Sequence, residues 1–346
     1  MGGSFSKLAF SIVLLITGCL ADQESTFSEM VQEGPTSISY FFDKKTPKIP
    51  HIDPYISSTY RPGDSLYQPI LDFQNGRLDK AIPKLKSLSE GGNADAMFWY
   101  ADFLTKSSIK TRYEGYNWFK KSAMLGNPYS AMVLTPSHRT CKDYFNELCN
   151  EEWEETAKRL FKKRAGNGDI RAKYYLEKPI NPQTKADFEK MLSLVDESAK
   201  MNFFIPTMDM LKFYEGMGDN TDSEIVRILQ FVAKYSFVPA YSALSEFSTR
   251  NEIYPEAIKL GSKVQLEIDA LRCTKDSHKL EKQDLIECLS KAYTLNDYYN
   301  EPFTLKYIVL PDDPNLIKMA KEKSKAFIDT MTPTIYIDEI HIDGYF

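Results

Sequence analysis

The pattern of apolar and polar positions repeats along most of this chain, and its period is much longer than one helical turn. The unit restarts at a small or turn-forming residue, and the intervals between restarts are 34, 42, 34 and 34 residues. The restarts are Gly92, Gly126, Gly168, Asn202 and Ser236. A constant period of this size, lengthened once by eight residues, is typical of stacked helix–turn–helix units.

Each restart is flanked by two stripes of apolar or small residues. They stand 11, 7 and 3 positions before the restart and 4 and 8 positions after it. Steps of four residues keep side chains on one face of a helix. In the first unit the five positions are Ala81, Leu85, Ser89, Ala96 and Tyr100. We therefore predict one helix that ends at each restart and a second that begins there, in an all-α fold.

Two segments of the first unit, GGNADAMFWYADFL from Gly91 and YNWFKKSAMLGN ending at Asn127, resemble the Sel-one-like repeat family, a relative of the tetratricopeptide repeats. AGNGDIRAKYYL and AKYSFVPAYSAL resemble it more loosely. The resemblance implies a right-handed α/α superhelical solenoid over residues 66–272. Residues 273–346 would then form a short, irregular C-terminal cap.

The longer second interval places an insertion after Leu134, where Pro136 is expected to end the helix early. Cys141 and Cys149 lie in this insertion, and disulfides persist in exported chains. On one straight helix their Cα atoms would be about 12 Å apart, beyond the limit of about 7 Å for a disulfide. A bridge therefore requires the backbone to turn between them.

Cys273 and Cys288 form a second local pair, which would join two helices as a closing hairpin. For both pairs the alternative is a redox or metal site. We favour structural disulfides because neither pair has a Cys-x-x-Cys spacing.

Residues 1–19 are predicted to be a signal peptide, with Lys7 before the short apolar run Leu8–Ile16. The segment Ile16-Thr17-Gly18-Cys19 resembles the bacterial lipobox, which implies a lipid attached to Cys19. An ordinary signal peptide with an incidental cysteine is the alternative. In a Gram-negative bacterium, Leu20 in the next position implies the outer membrane, with the domain facing the periplasm.

Residues 20–65 are punctuated by proline and glycine and show no helical stripe. They would either pack as an extended strap on the first helices or act as a flexible spacer. At the other end, Asn315–Met331 has an amphipathic helical pattern and Thr334–Ile342 alternates like a short strand.

Composition narrows the class of partner. The chain is 42% hydrophobic and 13% aromatic, which is enough for a sizeable core, and its formal net charge is −5. A nucleic-acid groove requires a basic stripe, and none is present. Basic and acidic residues are interleaved, so we also predict no polybasic membrane patch.

The sequence offers little catalytic chemistry, and we predict no catalytic residues, cofactor or metal. No nucleotide-binding or hydrolase motif is present, and a Ser-x-x-Lys at Ser107–Lys110 lacks the Lys-Thr-Gly that accompanies it in penicillin-interacting enzymes. A C-terminal cluster could in principle hold a divalent ion, although a solvated strand end is the simpler interpretation. The cluster consists of Asp338, Glu339, His341 and Asp343.

The sixth residue after the first four restarts is large and apolar. These residues are Phe98, Met132, Tyr174 and Met208. They point away from the core positions four and eight residues after the restart, which suggests a partner-binding groove. The alternative is that they belong to a wide buried arc, because the first helix of each unit contacts several neighbours.

Together these patterns predict a lipid-anchored protein that binds another protein. Sel-one-like lipoproteins of this build resemble immunity proteins that inhibit secreted lipase-type effectors of competing bacteria by occlusion. A structural or assembly adaptor of the cell envelope is the main alternative. A cell-wall or β-lactam hydrolase, as proposed for some cysteine-rich relatives, is a further one.

Overall fold

The structure is a computed structural model that describes residues 34–42, 53–180, 182–215, 219–247, 254–274, 280–302, 304–308 and 310–342. Over these ranges the regular secondary structure is helical throughout, which confirms the all-α class. None of the helices in these ranges combines the length and the apolar character that crossing a bilayer requires.

At each of the five predicted restarts one helix ends and the next begins within three residues. The helices are α1 (Ser39–Phe42), α2 (Tyr67–Gln74), α3 (Leu78–Glu90), α4 (Ala94–Ser107), α5 (Arg112–Met124), α6 (Pro128–Val133), α7 (Glu152–Gly166), α8 (Ile170–Glu177), α9 (Lys185–Lys200), α10 (Ile205–Leu211), α11 (Asp219–Ala233), α12 (Val238–Phe247), α13 (Pro255–Lys259), α14 (Lys263–Thr274), α15 (Lys282–Tyr299) and α16 (Pro314–Thr330). Helices that are consecutive in the chain pack on each other from α2 to α10, between α11 and α12, and from α13 to α16.

All five predicted restarts have the same backbone geometry. Their φ angles are 93°, 103°, 90°, 60° and 61°, in the left-handed region that usually favours glycine. At each restart the N–H donates to the carbonyl three residues earlier, over 3.0 Å. A left-handed residue that follows a helix in this way satisfies carbonyls that the helix end would leave unpaired. The restart pattern in the sequence is therefore a repeated helix-terminating turn.

Side chains stabilise the start of the next helix in the first three units. Asn93, Asn127 and Asp169 each follow a restart and accept a hydrogen bond from a backbone N–H of α4, α6 or α8. Asparagine and aspartate are preferred at this capping position because their side-chain oxygen replaces a missing helical acceptor. The sequence Gly-Asn or Gly-Asp therefore ends one helix and begins another.

The two predicted stripes form the core between paired helices. The residues seven before each restart are all buried: Leu85, Phe119, Phe161, Val195 and Leu229. Two helices approach closely at Gly115 of α5, where an added Cβ atom would lie 2.9 Å from the carbonyl oxygen of Ala101 in α4. A small residue at this stripe position lets the two helix backbones come together.

The backbone turns within the insertion, as a disulfide between Cys141 and Cys149 requires. Helix α6 ends at Val133, shortly before Pro136, and the chain then forms one wide helical turn over Cys141–Phe145. That turn breaks at Asn146, which has a φ of 40°. The turn brings the Cα atoms of Cys141 and Cys149 to 5.9 Å, and the two residues are disulfide-bonded. In the second predicted pair Cys288 is buried, while the side chain of Cys273 lies outside the described residues.

Part of the proline-rich lead-in packs as a strap, although on later helices than the first ones. Ile38 is fully buried, and Ser39 Oγ donates to Asp196 Oδ2 in α9 over 2.7 Å. The hydroxyls of Ser37 and Tyr214 lie 2.9 Å apart. Residues 34–42 therefore cover the middle of the helix series. The predicted signal peptide and Cys19 lie outside the described residues.

The predicted strand at Thr334–Ile342 is wrong. Residues 334–338 form neither helix nor strand, the chain bends at Glu339 and Ile340, and within the described ranges no second strand pairs with it. Its hydrogen bonds go instead to side chains and to turns between helices, as described next.

Candidate functional site: a buried C-terminal segment and an adjoining pocket

Residues 331–342, called here the C-terminal segment, lie against the start of the helix series and bend at Glu339 and Ile340. The N–H of Ile335 donates to Ser58 Oγ over 2.9 Å, and its carbonyl accepts from the N–H of Thr59 over 2.8 Å. The N–H of Tyr336 donates to Gln74 Oε1 in α2 over 2.9 Å. Side chains and loops therefore satisfy the backbone groups that an adjacent strand would otherwise pair.

The same segment also contacts the later helices. The N–H groups of Thr332 and Thr334 donate to the carbonyls of Lys259 and Leu260, which follow one another at the end of α13, each over 2.9 Å. Because both Ile335 and Ile337 are buried, the segment is part of the core and not a loose tail. It links helices that are almost 200 residues apart in the chain.

Glu339 is held in a buried network. Arg171 Nη1 donates to Glu339 Oε2 over 3.0 Å, and the Tyr60 hydroxyl donates to Glu339 Oε1 over 2.9 Å. Trp99 Nε1 in turn donates to the Tyr60 oxygen over 3.4 Å. Burial raises the pKa of Glu339, and the Arg171 charge opposes that shift. Both oxygens of this carboxyl group are therefore hydrogen-bonded inside the core.

The neighbouring Asp338 is also buried and fully engaged. Its Oδ2 accepts from the Tyr175 hydroxyl over 2.6 Å, and its Oδ1 accepts from the N–H of His341 over 2.8 Å. The His341 ring nitrogen Nδ1 lies 3.1 Å from the same oxygen. Burial raises the pKa of Asp338, but the hydrogen bonds and charge of His341 and the Tyr175 hydrogen bond outweigh it and lower the pKa to about 2.

The side chains that face this segment share two positions in the repeat. Arg171 and Tyr129 follow a restart by three residues, and Trp99 and Tyr175 follow one by seven. We call these four residues the contact row. Positions three and seven are one helical turn apart, so they share a face of the first helix in each unit. The Tyr129 and Tyr175 rings lie 5.9 Å apart and continue the row between units.

The four large apolar residues that the sequence suggested for a partner-binding groove lie in the core instead. Phe98, Tyr174 and Met208 are 0%, 1% and 6% exposed, and Met132 is partly buried against the core cluster that contains Phe98. Phe98 packs edge-on against Phe119 of α5, and the Tyr174 hydroxyl donates to Asp209 over 2.7 Å. The groove hypothesis is therefore corrected, because the buried arc of these helices is wide enough to include the sixth position.

A pocket of about 490 Å³ adjoins the end of the C-terminal segment. Helix α4 forms one wall, the insertion forms a second, and the C-terminal segment forms a third. The lining residues are Phe98, Asp102, Lys106, Val133, His138, Arg139, Thr140, Asp143, Tyr144, Glu339, Ile340, His341 and Ile342. Its volume is in the range of small-molecule sites, which is roughly 300–1,000 Å³.

Charged groups line the pocket in pairs. Lys106 Nζ lies 3.1 Å from Asp102 Oδ2, and Arg139 Nε lies 3.2 Å from Asp143 Oδ2. His138 Nδ1 accepts from the N–H of Thr140 over 3.2 Å, so in the neutral ring Nε2 carries the proton. Burial, with a further contribution from Lys106, lowers the pKa of His138 to about 4. This histidine is therefore a neutral hydrogen-bond donor at pH 7.

Of the predicted C-terminal cluster, Asp338 and His341 lie together. Asp338 and Glu339 have separate partners, and Asp343 lies outside the described residues. Across the ranges given above, no three histidine, cysteine, aspartate or glutamate side chains come together as a metal site requires. Comparison of the chain with protein-family models, with curated proteins and with solved structures finds no match.

Proposed function

We propose that this chain works by binding and not by catalysis, as a lipid-anchored repeat protein of the bacterial cell envelope. Its helices would form a right-handed α/α superhelical solenoid of Sel-one-like units, attached to the outer membrane through Cys19 and facing the periplasm. The five equivalent turns and the packing of consecutive helices support the repeat arrangement. A series of stacked units offers a large surface to a partner, which suits binding.

The observation that carries this proposal is where large apolar side chains remain exposed. The contact row is covered by the chain's own C-terminal segment, whereas four apolar side chains on or beside α5 reach solvent. They are Ile109, Tyr113, Met124 and Leu125, with exposed fractions of 76%, 65%, 74% and 54%. Tyr113 and Met124 are about three helical turns apart and share one face of α5. We call these four residues the α5 patch.

The chemistry of the α5 patch indicates the kind of partner. Exposed aromatic and apolar residues surrounded by polar ones are typical of protein interfaces. Lys110, Lys120 and Lys121 are exposed around the patch, and Glu114 is the acidic residue on this stretch of α5. The partner would be a protein whose apolar surface is bordered by carboxylates, since lysines at the rim of an interface favour opposite charge.

An inhibitor of a secreted effector and an envelope adaptor would both use such a patch. An immunity protein against a lipase-type effector would protect cells from that one effector and cause no general defect when deleted. An adaptor would cause a general envelope defect on deletion. A hydrolase would instead act on a cell-wall or β-lactam substrate as the purified domain, and measured turnover would contradict the binding proposal.

The direct test is affinity capture from crosslinked envelope fractions with the domain from Leu20 onward. The variant Tyr113→Ser/Met124→Ser removes one exposed apolar side chain at each end of α5 without touching the core. Ile180→Ser is the matched control, because Ile180 is an exposed apolar residue away from α5. A stoichiometric partner that the control retains and the double variant loses supports the proposal. Capture that is the same for all three proteins, or no capture, contradicts it.

A further inference from the structure

We propose that the pocket between α4, the insertion and the C-terminal segment binds a small organic carboxylate with an apolar body. This site is separate from the α5 patch and does not depend on the protein partner. It exists because the second interval of the repeat is eight residues longer than the others. The added residues turn back at the Cys141–Cys149 bridge and place Arg139 and Tyr144 opposite α4.

The walls of the pocket are apolar on more than one side. Val133 comes from α6, Tyr144 comes from the insertion, and Ile340 and Ile342 come from the C-terminal segment. Such walls gain free energy by removing apolar ligand surface from water, at about 25 cal/mol per Å². They suit an aliphatic or aromatic group better than a sugar or a nucleotide phosphate.

The polar groups favour an anion. The three lining acids are already paired: Asp102 with Lys106, Asp143 with Arg139, and Glu339 with Arg171 and Tyr60. The basic side chains keep further donors, because a lysine ammonium has three N–H bonds and an arginine guanidinium has five. Each lining carboxylate is thus already neutralised by a cation, while Lys106 and Arg139 keep further N–H groups for a ligand.

Three donors come from two different walls. Lys106 lies at the end of α4, while His138 and Arg139 lie on the insertion. His138 presents its Nε2–H because its Nδ1 accepts from the N–H of Thr140. A carboxylate has two oxygens with about four acceptor positions, so it can accept from donors on both walls at once. An amide of the same shape replaces one oxygen with an NH₂ donor and would face Lys106 or His138 unfavourably.

Such a carboxylate can be a free small molecule or the C-terminal carboxylate of a peptide. Two probes separate these sources: 3-phenylpropionate, and a pentapeptide that ends in a free phenylalanine. Each is compared with its own amide, 3-phenylpropionamide or the amidated peptide. Calorimetric titration of the intact chain at pH 7, with the Cys141–Cys149 bridge oxidised, gives the four dissociation constants. Binding of the small acid, the peptide acid or both, about tenfold tighter than the matching amide, is expected.

The variants test whether the binding occurs in this pocket. Arg139→Gln changes an exposed side chain and should weaken acid binding by about tenfold without changing the melting curve. Asp102→Asn with Lys106→Met removes both members of the α4 pair, so no buried charge is left alone. Lys110→Met is the control, since Lys110 is exposed beside α4 and is not part of the pocket lining.

The expected result is that Arg139→Gln and the double variant lose affinity for the acid and that Lys110→Met keeps it. Ile342→Trp fills the pocket and should reduce binding while every charge stays in place. Three results would overturn the proposal: acids that bind no better than their amides, Arg139→Gln that binds like the unmodified chain, and no heat for either acid up to about 10 mM, a limit that corresponds to a very weak site.

Discussion

Arg171 Nη1 lies 3.0 Å from Glu339 Oε2, although 168 residues separate the two in the chain. Both are largely buried, with side-chain exposures of 17% and 0%. The ion pair joins the first helix of the third unit to the C-terminal segment. The C-terminal segment is thereby fixed to the contact row by charge as well as by apolar packing.

We expect Arg171→Met to lower the free energy of unfolding by about 3–5 kcal/mol, because it leaves the Glu339 carboxyl group buried without its cation. Arg171→Met with Glu339→Gln should recover much of that loss. Urea unfolding of the single and double variants measures the coupling. Lys173→Met is the control, since its pair with Glu197 is half-exposed and contributes at most about 1 kcal/mol. Additive losses in the double variant would contradict this prediction.

Asp338 should make stability depend on pH in the acid range. Its folded-state pKa is about 2, below the ordinary value of 3.8, so its charged form stabilises the fold. This stabilisation is present above pH 4 and is lost as the pH falls from about 4 to 2, by on the order of 2 kcal/mol. The pKa of Glu339 is shifted in the opposite direction, so a variant that changes Asp338 alone is needed.

The variant Asp338→Asn provides that comparison. It should be less stable than the unmodified chain at pH 6, and the difference between the two should shrink as the pH falls from 4 to 2. Unfolding in urea at a series of pH values gives both curves. A difference that stays constant across this range would show that Asp338 is not charged and engaged as described.

The repeated turn predicts that substitutions at two equivalent restarts change the unfolding free energy in opposite directions. Gly168→Ala should lower the unfolding free energy by about 1 kcal/mol, because alanine is strained at a positive φ. No atom lies within 4 Å of the added Cβ, so a steric clash is not the cause. Ser236→Gly should raise the unfolding free energy by about 0.5 kcal/mol, as strain is relieved but the unfolded chain gains freedom. Changes of equal sign in the two melting curves would contradict the equivalence of these turns.

Close packing of α4 and α5 predicts that Gly115→Ala is destabilising by about 1–3 kcal/mol, because the new methyl group meets the backbone of α4. Gly166→Ala is the matched control at the end of α7, where nothing lies within 4 Å of the new Cβ. There alanine should stabilise the helix by about 0.5–1 kcal/mol. Thermal unfolding of both variants measures the difference, and equal effects would show that α4 and α5 are further apart than described.

Local signals in the sequence were sufficient to predict the helices and turns. Period, stripe spacing and the restart residues depend on neighbours within one unit, so the all-α class and all five turns could be predicted. The turn between Cys141 and Cys149 could also be predicted, because the straight-helix distance excludes a bridge. In each case the relevant residues are close together in the chain.

The contact row and the C-terminal segment required the structure. The alternation at residues 334–342 favours a strand, but whether a strand forms depends on a partner strand that the sequence cannot place. Arg171 and Glu339 are unremarkable separately, and only the folded chain brings them together. One signal was available: Asp95 and Arg171 put charges at the third position after a restart, on helices that are otherwise largely apolar.

Amide hydrogen exchange over residues 334–340 tests the central claim most directly, that the C-terminal segment is bound to the start of the helix series and not a free tail. The N–H groups of Ile335 and Tyr336 are bonded to Ser58 and Gln74, so they should exchange slowly, as the amides of α4 do. Gln74→Ala should accelerate exchange at Tyr336 while α4 stays protected. Exchange of the whole segment at the rate of an unfolded peptide, while α4 remains protected, would contradict the claim.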